Sequence, residues 1–143
     1  MNARYIMSRD VVTGRLDMAL EEALDLLRQR HISGLPVIDE EGHVVGVFSQ
    51  TDALNRSGDK LRQLMTSPAV TVDEDTSIKD IAALMAAKDI NRVPVVRQGR
   101  LVGIVSRADV VRYLATQHAW VKVEASVTSF TSSCDLPEPG AKP

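Results

Sequence analysis

Leu20, Ala23, Leu24 and Leu27 recur at i, i+3, i+4 and i+7, the spacing that lays one apolar stripe along a helix. Ile78, Ile81, Ala82 and Met85 repeat the stripe in the same phase, so two matching amphipathic helices are predicted. After each helix the period changes. Leu35-Pro36-Val37-Ile38 and Val93-Pro94-Val95-Val96 are short β-branched runs. They lead into the polar turns Asp39-Glu40-Glu41-Gly42 and Arg97-Gln98-Gly99-Arg100, and then into Val44–Phe48 and Leu101–Val105. Each pair reads as a β-hairpin. Because proline has no N–H for a ladder, Pro36 and Pro94 are expected at a sheet edge or a strand start. Ser49 and Ser106 stand where further helices open, the second running longer through Val110, Val111, Tyr113 and Leu114. Short extended pieces are predicted at Val11–Thr13 and Ala69–Val72.

These elements form two copies of one unit. Met7 falls on Met65, Val12-Thr13 on Val70-Thr71, Asp17 on Asp75, Leu26 on Leu84, Ile32 on Ile90 and Pro36-Val37 on Pro94-Val95, an offset of 58 positions. Glu41 is one extra residue in the first turn, and the offset becomes 57 for Gly42/Gly99, Val45-Gly46/Val102-Gly103, Ser49/Ser106 and Asp52/Asp109. Turns are where an insertion costs least. A unit of about 50 residues buries too little surface to be stable alone, so the copies should pack together around a pseudo-twofold axis. The expected fold class is α/β of the α+β kind: two tandem β-α-β-β-α repeats forming a sandwich. Residues 6–54 are the first repeat, 55–63 a polar connector and 64–120 the second repeat. Residues 126–143, rich in Ser, Thr and Pro, are expected to form a loose tail whose deletion leaves folding and affinity nearly unchanged.

Composition narrows the function. Of the 143 residues, 44% are hydrophobic and 25% charged, which suits a globular domain with a core rather than a disordered chain. Seventeen Lys+Arg against nineteen Asp+Glu, with the arginines scattered, leave no footprint for nucleic acid or an anionic membrane surface. The single Cys134 cannot close an intramolecular disulfide and has no neighbouring histidine for a zinc cluster. No apolar stretch is long enough to span a bilayer and the N-terminus lacks an export pattern, so the cytoplasm is the expected location.

Gly46-Val47-Phe48-Ser49-Gln50-Thr51-Asp52 and Gly103-Ile104-Val105-Ser106-Arg107-Ala108-Asp109 share a pattern: glycine, two apolar residues, serine, two residues, aspartate. Following a proline-containing strand and a Met-Ser/Thr start, each copy resembles the cystathionine-β-synthase (CBS) domain, and the tandem resembles a Bateman module over about residues 6–115. That resemblance implies a stand-alone sensor with two clefts that take adenosine-containing ligands, and pairing of modules into dimers.

Each candidate site residue has a second reading. Ser49 with Asp52, and Ser106 with Asp109, have capping-box spacing, which needs no ligand. In the functional reading, Asp accepts hydrogen bonds from ribose hydroxyls while Ser and helix N-terminal N–H groups hold phosphate. The resemblance places Thr13 and Thr71 at the ligand, although a threonine there is also an ordinary strand residue. Pro36 and Pro94 would wall the adenine, or simply pack. Arg92 and Arg107, whose counterparts are Gly34 and Gln50, are placed by the resemblance to meet phosphate as a fork, or else are solvated. The favoured pocket holds Thr13, Ser33, Gly34, Pro36, Arg92, Pro94, Ser106, Arg107 and Asp109; the second holds Thr71, Ser49, Thr51 and Asp52. Asp73-Glu74-Asp75 is read as suiting the dipole of the helix that follows Thr76 rather than as a cation site.

His31, His43 and His118 are scattered, and no HxH, HExxH, CxxC, GxSxG, Walker or GxGxxG pattern occurs, so neither a catalytic residue nor a metal is expected. The expected function is a non-catalytic sensor binding a nucleotide of the AMP/ADP/ATP class, with S-adenosylmethionine or NAD as further options, and signalling to a partner protein. The alternative is a structural or dimerisation module of the same fold with an empty cleft. A homodimer is expected through the apolar run Val110, Val111, Tyr113 and Leu114, with Trp120.

Overall fold

A computed structural model describes residues 1–117. Met1–Val110 forms one compact unit; of the second, Val111–Pro143, residues 111–117 are described and are helical. Trp120 and the 126–143 tail lie outside the described residues.

The first unit is a mixed α+β fold with two three-stranded sheets of matching topology. Repeat one contributes β1 (Gly14–Arg15), α2 (Leu20–Arg30), β2 (Gly34–Ile38), β3 (Val44–Ser49) and α3 (Gln50–Asn55). Repeat two contributes β4 (Val72–Asp73), α5 (Ile78–Lys88), β5 (Arg92–Arg97), β6 (Arg100–Ser106) and helical residues 107–110. Two short helices, α1 (Ala3–Ile6) and α4 (Leu61–Leu64), precede the repeats. β1 runs parallel to β2, and β2 is antiparallel to β3; β4, β5 and β6 do the same.

The lead-in segments are exchanged. α1 precedes repeat one but caps repeat two: the Ala3 N–H donates to Thr76 O at 2.9 Å and the Arg4 N–H to Glu74 O at 3.1 Å. α4 precedes repeat two but fills repeat one, where Leu61 and Leu64 are fully buried against Ala23, Leu27, Leu35, Val37 and Phe48. Just beyond these helices, Ser8 bridges Ile104 of β6 and Thr66 bridges Val47 of β3. The repeat offsets carry one bridge onto the other, so the exchange obeys the pseudo-twofold. The glycines of the recurring motif make room for it. A Cβ on Gly46 would stand 2.7 Å from Met65 Sδ and 2.8 Å from Thr66 O, and one on Gly103 2.5 Å from Met7 Sδ and 3.0 Å from Ser8 O.

Four expectations need correction. The parallel strands form at Gly14–Arg15 and Val72–Asp73, so the first lies beyond Val11–Thr13 and the second overlaps Ala69–Val72 only at its end. Pro36 and Pro94 lie in the middle strands of their sheets, not at edges. They are tolerated because Pro36 faces Val47, whose N–H and C=O both bond Thr66 instead, while β1 reaches only Val37 and Ile38. In the stripe of α2, Leu24 is 37% exposed and Leu26 packs on the core in its place. Last, α5 is capped by Ser77, whose Oγ accepts from the Asp80 N–H at 3.1 Å, and Glu74 does not serve its dipole. Glu74 is buried in a two-pronged bond with Arg97, at 2.5 and 3.0 Å, and lies 3.7 Å from Arg4. The Arg97 guanidinium holds the Glu74 carboxyl below its ordinary range.

Candidate functional site

A cavity of about 480 Å³ opens between the repeats, a size in the usual range for small-ligand sites. Its floor and walls come from the starts of β2 and β5, the end of β3, the first turn of α3 and the lead-in segment Thr66–Val70. Apolar wall area is supplied by Leu35, Pro36, Val47, Val70, Ile90, Pro94 and Ile104. Polar groups line it too: Ser33, Ser49, Thr51, Asp52, Thr66 and Arg92. Gly34 must be a glycine here, since a Cβ would stand 2.9 Å from Phe48 O.

Asp52 is held from two directions along the chain, by Ser49 and by Thr66. Its Oδ2 accepts from the Ser49 N–H at 3.0 Å and from Ser49 Oγ at 3.3 Å, and its own N–H donates to Ser49 Oγ at 3.4 Å. This is a complete capping box, so the first reading of Ser49-x-x-Asp52 holds at α3. Its Oδ1 accepts from Thr66 Oγ1 at 3.0 Å, with Arg56 Nε 4.0 Å away. A carboxylate offers about four lone-pair positions. Three are used by these donors, which leaves one acceptor position on a residue that lines the cleft. Ser106 and Asp109 form the equivalent box, at 2.8 and 3.1 Å.

Arg92 crosses between the copies. Its Nη1 donates to Ser33 Oγ at 2.9 Å, setting a cation of repeat two against a hydroxyl of repeat one. Arg107 is turned elsewhere: Nη2 donates to Ile90 O at 3.2 Å and lies 4.0 Å from Asp89.

The cleft therefore gathers residues from both expected sets. Ser33, Gly34, Pro36, Arg92 and Pro94 line it beside Ser49, Thr51 and Asp52, while Thr13, Thr71, Ser106, Arg107 and Asp109 do not. Residues 33–36 and 91–94 are equivalent under the offset and both line this cavity, so spacing alone cannot assign them to one cleft. Thr66 was missed. Its bond to Asp52 joins residues fourteen apart through the exchanged segment, and only the Met65-Thr66 match to Met7-Ser8 hinted at a role. Gln50, Asp89, Asn91 and Ile104 were also missed, having only neutral spacing signals.

The family model of the CBS domain matches twice, over residues 3–59 and 61–116. The chain belongs to the CBS domain family. Its fold is similar to CBSX2 of Arabidopsis thaliana crystallised in complex with AMP: 29% identity, TM-score 0.77, covering 82% of this chain and 98% of that one. It is also similar to the CBS domain pair of protein MJ0100 in complex with 5′-methylthioadenosine and S-adenosyl-L-methionine, with 30% identity, TM-score 0.75 and the same coverage. A curated relative, an uncharacterized protein of Methanocaldococcus jannaschii, is 35% identical over 130 residues, which is 77% of this chain and 31% of that protein. This CBS pair spans 31%, 44% and 23% of the first three curated relatives it matches. Among the described residues, no helix is long and apolar enough to cross a membrane.

Proposed function

We propose that this CBS pair is a non-catalytic regulatory module of the cytoplasm that binds an adenosine-containing ligand of the AMP/ADP/ATP class beside Asp52 and passes the change to a partner protein. The carrying observation is the cleft itself, lined by Pro36, Pro94 and Ile104 and, in the same cavity, by the Asp52–Thr66 and Arg92–Ser33 pairs. Adenine packs between the prolines and Ile104, a ribose hydroxyl donates to Oδ1 of Asp52, and Arg92 meets phosphate in place of Ser33. The complexes of CBSX2 with AMP and of the MJ0100 pair with S-adenosyl-L-methionine support the ligand class. Thr13, Thr71, Ser106, Arg107 and Asp109 are proposed for the second cleft of the pair. A binding panel of AMP, ADP, ATP, S-adenosylmethionine and NAD tests the reading, and saturable binding of at least one is the expected result.

A second reading has an observation of its own. Asp52 already receives three hydrogen bonds from Ser49 and Thr66, so the box is satisfied without a ligand. In that case the fold serves dimerisation alone. Purine analysis of the denatured protein separates the two, because retained nucleotide excludes the empty-cleft reading.

A further inference from the structure

We propose that Asp39, Glu41 and His43, at the turn of the first hairpin, form a binding site for a divalent transition-metal ion of the zinc class. One donor atom from each residue lies within 4.8 Å of the other two. His43 Nδ1 stands 3.5 Å from Asp39 Oδ2 and 3.4 Å from Glu41 Oε1. Two ligands bound at about 2.0–2.2 Å around a tetrahedral ion stand about 3.4 Å apart, so the imidazole is spaced from both carboxylates as zinc requires. One nitrogen and two carboxylate oxygens suit zinc, cobalt or nickel better than magnesium, which takes oxygen ligands and keeps its waters.

The turn prearranges the donors. Asp39 Oδ1 accepts from the N–H groups of Glu41 and His43, each at 2.9 Å, which turns Oδ2 toward the imidazole. The imidazole lies close to Gly99 of the other repeat, where an added Cβ would stand 3.2 Å from His43 Cδ2. Asp39 and Glu41 also border a surface depression of about 620 Å³, which Arg15, Asp17 and Arg62 share and His43 does not line.

The site belongs to one repeat. Glu41 is the inserted residue, and the second hairpin closes with Gln98-Gly99 alone, Arg100 standing where His43 stands in the first. His43 and Arg100 bridge each other, with the Val44 N–H donating to Gly99 O at 3.1 Å and the Leu101 N–H to Gly42 O at 3.0 Å. A metal here would tie the turn to the line where the two repeats pair.

Zinc chloride titrated into the full chain by calorimetry, with Co²⁺ absorption as a geometric readout, tests this. One ion per chain with tetrahedral cobalt bands is expected. Glu41→Gln and His43→Gln should each weaken binding at least about tenfold, since even residues that only hydrogen-bond to a metal's ligands are worth about ten- to a hundredfold. Both substitutions spare the backbone bonds of Asp39, and circular dichroism of the metal-free variants should match the parent. Absence of saturable one-to-one binding overturns the proposal. So does undiminished binding by His43→Gln, which would place the ion on other residues such as His118 or Cys134.

Discussion

Arg92 Nη1 donates a 2.9 Å hydrogen bond to Ser33 Oγ, joining a cation of the second repeat to a hydroxyl of the first inside one cleft. Both partners line the cavity, so the bond lies on its wall. A phosphate outcompetes a neutral hydroxyl for a guanidinium, so the same bond is where a nucleotide would draw the repeats together.

Arg92→Ala should therefore weaken AMP binding by about 1.5–3 kcal/mol, the usual worth of a hydrogen bond to a charged group, and leave adenosine binding within about 0.5 kcal/mol. Calorimetry with both ligands checks this. Equal losses for AMP and adenosine would show that Arg92 shapes the cleft rather than meeting charge.

Gly46→Ala should destabilise the fold by about 1–3 kcal/mol, because its methyl group would overlap Met65 Sδ and Thr66 O. Gly103→Ala should cost a similar amount through Met7 and Ser8. The two differ at the cleft. Gly46→Ala displaces the segment that carries the Thr66 bond to Asp52 and should also weaken AMP, a coupling read by measuring affinity beside chemical denaturation.

The pairing of repeats was legible in the sequence because its parts are local. The stripes of α2 and α5, the hairpins and the Ser-x-x-Asp boxes each lie within a few turns of chain, and the offset of 58 and 57 positions repeats them. The exchange of lead-in segments was not legible. Leu61 lies in the stretch read as a polar connector, yet it is fully buried in repeat one, and nothing in its neighbours says which repeat receives it. The Thr66 bond to Asp52 follows from that exchange, so the cleft's anchor was visible as a cap while its long-range partner was hidden. Leu24 and Leu26 show the limit of a stripe argument: both fit an apolar face, and the position of α4 and the sheet decides which one packs.

Acid should unfold the protein partly through Glu74. Its folded pKa is lowered by Arg97, so its contribution is present above the unfolded value of about 4.3 and is lost as pH falls through the folded one. Thermal melts between about pH 6 and pH 3 should show the wild type losing stability faster than Glu74→Gln. Parallel curves for the two proteins would mean that the Glu74–Arg97 pair is not a source of acid sensitivity.

A homodimer is expected from the exposed apolar side chains of the 111–117 segment, where Val111 is 56% and Leu114 49% exposed. Light scattering of the wild type at high micromolar concentration should give twice the chain mass, and Val111→Asp with Leu114→Asp should give a monomer. A monomeric wild type removes the expectation.

The most direct test of the account is AMP affinity for the wild type beside Asp52→Asn, read by calorimetry and by thermal melting. Asparagine keeps a side-chain oxygen for the cap but cannot accept from Ser49, Thr66 and a ribose hydroxyl as a carboxylate does. The account predicts a wild-type melting shift of roughly 5 to 10 °C at a hundred times the dissociation constant. It also predicts a loss of affinity of about 1.5–3 kcal/mol in Asp52→Asn with little change in ligand-free stability. Wild-type protein that does not respond to millimolar AMP or any other adenosine ligand, or an Asp52→Asn variant that binds as tightly as wild type, would contradict it.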